Sequence, residues 1–326
     1  MMTSRKSLSE FIGRYGVIAA LVALIIFGAL RYDNFLGEFN ILTFMRYNSM
    51  FALVSLGMAF VIMTGGIDLS VGAVAALGSV VSAMASPYGF VPGLLAGAGV
   101  GLVAGLLNGL MVTRLGIFPF IATLAMMLAA KGTALLLSGN ASVEVDYDST
   151  FTVLGQGDLF AFPIPAWIAL LCFIAGSIVL NFTEIGRTTL AIGGNEDATR
   201  LMGLPIDRVK LMVYAASGTL AAIAGVILAS QFGAGQPIEG QGWELFAIAA
   251  VVVGGTSLMG GKGSVGTTLA GVALLGLIFN ILNFENGLGW ISLSAYWQSV
   301  VRGVFLLIVV VLQTRLGRRD LEERLG

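Results

Sequence analysis

The chain contains no histidine and one cysteine in 326 residues, and charged residues make up only 11% of it, against roughly a quarter in an ordinary soluble domain. Without histidine there is no His-based zinc or iron site, no haem pocket and no Ser-His-Asp or Cys-His triad. With one cysteine there is no internal disulfide. The charges nearly cancel, 17 Lys and Arg against 18 Asp and Glu for a net −1, so there is neither a basic face for nucleic acid nor an acidic tail. Cys172 sits inside an apolar run and reads as a small buried or lipid-facing hydrophobe. A membrane-embedded enzyme is poorly served by a chain lacking histidine and any convergent set of carboxylates.

What is present is oil: 57% of the residues are hydrophobic and the mean hydropathy is +0.94. At about 20 apolar residues per spanning helix, that content supplies roughly nine or ten spans. The predicted fold class is therefore all-α, a single polytopic membrane domain over residues 1–326 with about ten transmembrane helices. The segments fall near 15–30, 41–64, 70–86, 91–113, 117–138, 164–182, 211–230, 245–259, 264–284 and 295–313. The first has no small-x-small cleavage site after it and reads as an uncleaved span. The segments near 65–86 and 245–284 are short or rich in glycine and are expected to be broken or re-entrant.

Ten spans put both termini on one side, and the charge sorting agrees with a cytoplasmic placement. Arg5, Lys6, Arg14, Arg114, Arg187, Arg200, Arg208, Lys210, Lys262, Arg315, Arg318, Arg319 and Arg324 all fall on that side. Arg31, Arg46, Lys131 and Arg302 fall elsewhere, while Asp33, Glu38, Glu144, Asp146, Asp148, Asp158, Glu239, Glu244 and Glu285 collect on the opposite face. Lys131 and Arg302, within predicted spans, either pair with carboxylates, snorkel, or contact a ligand.

Two loops are long. The outer one, 139–163, is polar, acidic and ends in Phe162-Pro163-Ile164-Pro165, an extended segment before a helix. The inner one, 183–210, places Asn195 to cap a short helix from Glu196 to Met202 and Gly203 to end it. That helix, with Ala198, Leu201 and Met202 beside Arg200, is either local packing or a docking surface for another protein.

Within the membrane, Gly93, Gly97, Gly101, Gly105 and Gly109 recur every fourth residue and form a ridge that lets helices approach closely. Asn108, beside them, bonds a neighbouring helix or lines a polar path. The text Gly65-Gly66-Ile67-Asp68-Leu69-Ser70 interrupts an apolar run where one helix ends and another begins. Asp68 either caps the following helix or lines a cavity for a polar solute. Gly260-Gly261-Lys262-Gly263-Ser264 is only superficially a phosphate loop: Thr256 and Gly263 stand where the pattern needs Gly and Ser or Thr. If ATP drives transport here, another polypeptide binds it.

Four ordered blocks carry a resemblance: GMAFVIMTGGIDLSVGAVAAL (57–77), LNGLMVTRLGIFPFIATLAMML (107–128), GRTTLAIGGNEDATRLMGL (186–204) and WELFAIAAVVVGGTSLMGGKGSVGTTLAG (243–271). With them the chain resembles the permease subunits of bacterial ABC importers for monosaccharides, typified by the ribose transporter, within the superfamily that includes branched-chain amino-acid permeases. The text 282–298 is further similar to galactofuranose permease subunits, which work as heterodimers. The resemblance implies a ten-helix permease in the bacterial inner membrane that pairs with a second permease subunit, identical or related. It also implies docking to a cytoplasmic ABC ATPase that carries the ATP and Mg, and receipt of sugar from a periplasmic binding protein. No cofactor is implied on this chain, and its remaining partner is membrane lipid.

By the same resemblance the coupling element comprises Gly193, Gly194, Asn195, Glu196, Ala198, Leu201, Met202 and Gly203, and Asp68, Ser70, Asn108 and Thr123 line the path; Asn48 is a further polar group placed to offer a hydrogen bond to sugar hydroxyls. The sequence departs from the family at Phe246, where an Asp is usual, and at Trp243, where a Tyr is usual. The rival readings are the same fold importing a branched-chain amino acid or a nucleoside, and a secondary transporter driven by an ion gradient, for which Asp68 is the candidate site.

Overall fold

The computed structural model describes residues 3–288, with side chains from Gly16 to Asn286, and five further residues between Trp297 and Leu307. The segment predicted at 295–313, Arg302 included, otherwise lies outside the described residues. The long elements are α1 (Thr3–Arg31), α2 (Glu38–Met63), α3 (Val71–Ala85), α4 (Phe90–Thr113) and α5 (Pro119–Ser138). A long loop holds β1 (Val143–Glu144), the four-residue α6 (Val153–Gln156), β2 (Asp158–Leu159) and β3 (Phe162–Pro163). Then follow α7 (Ile164–Phe182), α8 (Glu184–Gly194), α9 (Glu196–Leu201), α10 (Ile206–Phe232), β4 (Ala234–Gly235), α11 (Trp243–Val253) and α12 (Val265–Leu288). The strands only stitch loops, β1 pairing with β4 and β2 with β3, both antiparallel.

Among the described residues seven helices are long and apolar enough to cross a membrane, and two apolar helices, Gly16–Arg31 and Trp243–Val253, are shorter. The protein is an all-α, multi-pass membrane protein. The segment expected at 245–259 is an 11-residue helix that stops at Val253, about 16 Å long against a hydrocarbon core of about 30 Å. The cause is local: Gly255 takes the left-handed conformation (φ +88°), and the N–H groups of Gly255 and Thr256 bond back to Val252 O (2.9 Å) and Val251 O (3.2 Å). That is the Schellman ending. The same motif ends α2 at Gly65 (φ +81°), through Gly65 N–H to Ile62 O (2.8 Å) and Gly66 N–H to Val61 O (3.1 Å). Helix α10 begins at Ile206, five residues before its expected start, because Pro205 is its N-cap and the charged first turn is helical too.

Burial ranks the helices. In their most apolar stretches α2, α3 and α10 are 72%, 67% and 67% buried, whereas α4, α5 and α7 reach only 28%, 28% and 22%. Helix α10 runs through the centre against α4, α3 and α2; α5 lies outside α3, while α7, α11 and α12 cover the far side of α2. A separate cluster of Tyr32, Phe35, Leu277 and Ile281 ties α1 to α12. There Tyr32 donates to Glu285 Oε1 (2.6 Å); burial first, and then the Glu285 carboxylate, push its phenol up to about 12.

The five ladder glycines of α4 are all buried. Most of the ridge lies against α10: a methyl at Gly101 would collide with Ala222 and Gly218, one at Gly105 with the Tyr214 carbonyl, and one at Gly109 would sit 2.8 Å from Leu211 Cδ1. At Gly97 it would strike Val226 of the same helix, and at Gly93 it would lie 2.6 Å from the Phe151 ring. Gly99, by contrast, faces open space. Overpacking a close contact of this kind costs about 1–3 kcal/mol or more. Gly101→Leu is therefore expected to lower the apparent Tm in detergent and the yield of folded protein, with Gly99→Ala near wild type. Equal behaviour of the two in a fluorescence melt would contradict the ladder contact.

Candidate functional site

The break between α2 and α3 lies inside the bundle. Its polar groups meet Asn108, five residues before the end of α4, Thr123, four residues into α5, and Ser217, in the fourth turn of α10. Asp68 has no exposed surface, and Ser70, Asn108, Thr123 and Ser217 are each at most 1% exposed. Asp68 Oδ1 accepts from the Ser70 N–H (3.0 Å) and from Ser70 Oγ (2.6 Å), and Oδ2 accepts from Ser217 Oγ (2.9 Å). Ser70 Oγ in turn accepts from Asn108 Nδ2 (2.9 Å). Thr123 Oγ1 donates to Pro119 O (2.9 Å) and accepts the Leu69 N–H (3.1 Å).

Asp68 thus ties the break to α10 and closes a turn of its own over the N-cap residue Ser70. It does not bond the N–H groups inside α3, whose N-cap has no side-chain bond. Tyr214, three residues before Ser217 on α10, places its hydroxyl over Gly66, where a methyl would lie 2.5 Å away. Neither Ser217 nor Tyr214 carries a sequence signal: both are single polar groups in a long apolar helix, and their i, i+3 spacing acquires meaning only once α10 lies beside the break.

The other proposed path residue, Asn48, is elsewhere. It lies in α2 about 15 residues before the break, roughly 20 Å along the axis, and its amide donates to Phe44 O (2.8 Å). With Ser49 it supplies the polar edge of a cavity of about 380 Å³ between α2, α7 and α12, otherwise lined by Phe44, Trp167, Leu170 and Val272 among other apolar residues. Beside the cavity Arg46 bonds Asp158 Oδ1 (2.6 Å) and Gln156 O (2.9 Å), fastening the long loop to α2. Phe246 is 8% exposed; its ring lies 4.4 Å from Phe51 and 5.9 Å from Phe279, and Trp243 is 5.0 Å from Phe51. The departures at 243 and 246 thus belong to one apolar clamp joining α2, α11 and α12. Lys131 is half-buried in α5, and Glu244 stands in the first turn of α11.

The element from 183 to 210 is more helical than its sequence suggests. Thr183 Oγ1 caps α8 by accepting the Gly186 N–H (3.3 Å), and Asn195 Oδ1 caps α9 by accepting the Ala198 N–H (2.9 Å). Gly203 (φ +75°) ends α9, which spans Glu196–Leu201 with Met202 as its C-cap. Glu196 Oε2 pairs with Lys210 Nζ at 2.6 Å and Oε1 with Arg200 at 3.3 Å, pinning α9 to α10. Leu201 and Met202 are 90% and 65% exposed, and Ala198 lies on the same exposed surface.

Glycine joins this element to the break. Gly193 packs on the Met63 carbonyl and on Gly260 and Gly261, so that a methyl would strike backbone on each side. A methyl on Gly260 would lie 2.8 Å from Gly65 N, and one on Gly261 would lie 2.8 Å from Gly194 Cα. The Gly261 N–H bonds Met63 O (3.0 Å). Backbone touches backbone at the end of α2, the end of α8 and the loop after α11, which makes a rigid joint.

Removing the central acceptor should expose its role. Asp68→Leu strands three buried donors, each costing about 1–3 kcal/mol, whereas Asp68→Asn keeps a carbonyl for Ser70. The Leu variant is expected to melt well below the Asn variant in detergent; a matching loss would show that the hydrogen bonds to Asp68 contribute little.

Comparison with known proteins follows the same lines. The family described as branched-chain amino acid transport system/permease component matches residues 40–310. The chain is 40% identical to the ribose import permease protein of Bacillus subtilis over 305 residues, 93% of each chain. It is 36% identical to that of Haemophilus influenzae over 327 residues, 98% of each. To the L-arabinose transport system permease protein of Escherichia coli it is 38% identical over 306 residues, 91% of this chain and 89% of that one. No solved structure gives a significant match. With a family match over most of its length and relatives this similar end to end, the chain belongs to the branched-chain amino acid transport system/permease component family and is a non-catalytic, multi-pass permease of the inner membrane.

Proposed function

We propose that this permease imports a monosaccharide from periplasm to cytoplasm by alternating access, driven by ATP and Mg bound on a separate cytoplasmic ABC ATPase. The names of its relatives, ribose and L-arabinose permeases, support a sugar cargo. A periplasmic sugar-binding protein delivers the cargo, and a second permease subunit, a copy or a relative, completes the pore. The single domain 1–326 crosses the membrane ten times with both termini in the cytoplasm, which suits the charge sorting: Arg114, Arg187, Arg200, Arg208, Lys210 and Lys262 share one face and Glu144, Asp146 and Asp148 the other.

The observation that carries this reading is the exposed, doubly capped α9 fastened through a glycine joint to a broken helix. The 183–210 loop acts as the coupling element. ATPase closure presses on Ala198, Leu201 and Met202; Asn195, Glu196 and Gly203 hold α9 in shape; Gly193 and Gly194 pass the displacement to the end of α2. From there it reaches Asp68, whose bonds to Ser70 and Ser217 set α3 against α10. When these helices part, Asp68, Ser70, Asn108 and Thr123 offer hydroxyls, amide and carboxylate to the sugar on the inward side, and Asn48 does so from the α2 cavity. Such exchangeable contacts suit a path that must release its cargo.

Two measurements test it. In proteoliposomes holding the full transporter, uptake of labelled ribose or arabinose is expected to require ATP and the binding protein. Uptake that persists without ATPase and collapses with the proton or sodium gradient would instead favour a secondary transporter. The double variant Leu201→Asp, Met202→Asp, which charges a surface outside the lipid, is expected to cut uptake at least tenfold while folded yield stays normal. Uptake at the wild-type rate would remove α9 from the coupling path.

A further inference from the structure

The Gly-Gly-Lys-Gly-Ser text that is not a phosphate loop has a structure of its own. The loop after α11 closes a tight turn from Ser257 to Lys262: the Ser257 N–H bonds Lys262 O (3.1 Å), the Gly260 N–H bonds Ser257 O (3.0 Å) and the Met259 N–H bonds Ser257 Oγ (3.3 Å). Gly260 and Gly261 both take left-handed backbone, φ +83° and +74°, and that conformation lets the chain return within five residues. At the tip Met259 is 86% exposed, a long apolar side chain held out on a turn with little freedom to bury it.

The base of the turn is the glycine joint. Gly261 bonds the end of α2, and Gly260 and Gly261 pack on Gly193 and Gly194, the two residues before the Asn195 cap of α9. Met259 is therefore carried by the same joint that carries α9 with its exposed Leu201 and Met202, and Lys262 and Arg200 are exposed neighbours of these side chains along the chain. Exposed apolar side chains held out on well-braced elements among polar neighbours mark an interaction surface rather than a solvated one.

We propose that the Ser257–Lys262 turn is a second docking point for the ATPase, with Met259 entering an apolar recess of that subunit and Lys262 facing an acidic rim. The proposal rests on the reading of α9 as the coupling element, whose surface it continues. Lipid is the weaker occupant, because the turn is anchored to a segment bearing Glu196, Asp197 and Arg200, whose charges keep it in water. Two points of attachment would resist rotation of α9 as the ATPase moves, so that closure displaces the joint rather than tilting one short helix.

Photo-crosslinking in the assembled transporter tests this. A benzoylphenylalanine is placed singly at Met259, at Leu201 and, as a membrane-facing control, at Leu95 of α4, which is 66% exposed; adducts are identified by mass spectrometry. The expected result is an adduct with the chain carrying the ATP-binding cassette at 259 and 201, and none with it at 95. An ATPase adduct at 201 with only lipid or no adduct at 259 overturns the second docking point and leaves the α9 reading standing. No ATPase adduct at either position overturns both. In parallel, Met259→Asp should lower ATP-driven uptake at least fivefold at normal yield while Met259→Leu retains it; wild-type uptake by the Asp variant also overturns the proposal.

Discussion

Backbone that leaves the helix inside a membrane must find its hydrogen-bond partners within the protein, because the lipid offers none. The rest of this structure is arranged around that constraint at residues 64–70. The break is closed on one side by the turn at Gly65 and on the other by side chains: Asp68 for the Ser70 N–H and Thr123 for the Leu69 N–H. Asp68 needs further donors, and the hydroxyl of Ser217 on α10 answers that need. The central helix, the two helices of the break and, through Ser70 and Asn108, α4 are thereby fixed to one buried carboxylate, while Thr123 ties α5 to the backbone of the break.

Glycine performs two different tasks around this centre. In α4 it removes side chains so that α10 can lie close, replacing a hydrophobic driving force that is absent between helices in lipid with van der Waals contact. At Gly193, Gly260 and Gly261 it brings three backbones together where no helix is continuous. The first arrangement gives a broad, rigid slab. The second gives a narrow joint between that slab and α8 and α9. Helix α9 is thus connected to Asp68 through this joint and, by way of the Glu196–Lys210 pair and Ser217, through α10, and the apolar clamp of Phe51, Phe246 and Phe279 holds α11 and α12 to α2 on the far side.

Much of this was legible in the chain itself. Helix ends marked by glycine, asparagine or proline were found closely: the break at Gly65, the short α9 between its Asn195 cap and Gly203, and the start of α7 at Ile164 after Phe162-Pro163. Where the marker was ambiguous the reading slipped. The helix expected through 259 stops at Val253, because Gly254 and Gly255 turn the chain even though apolar residues follow. Helix α8 was read as loop, since its amphipathic eleven residues lack a long apolar run. Of the polar residues singled out, Asp68, Ser70, Asn108 and Thr123 meet at the break, whereas Asn48 stands apart at the α2 cavity.

The sequence by itself determined the class of protein and the approximate limits of its helices, because these depend on local composition and on the cost of placing bare backbone in lipid. Only the tertiary structure decided which helices are neighbours. That Asp68 answers Ser217, that α4 leans on α10, and that the turn at Met259 rests on Gly193 are contacts between residues some 65 to 150 positions apart, and no local pattern encodes a partner at that distance.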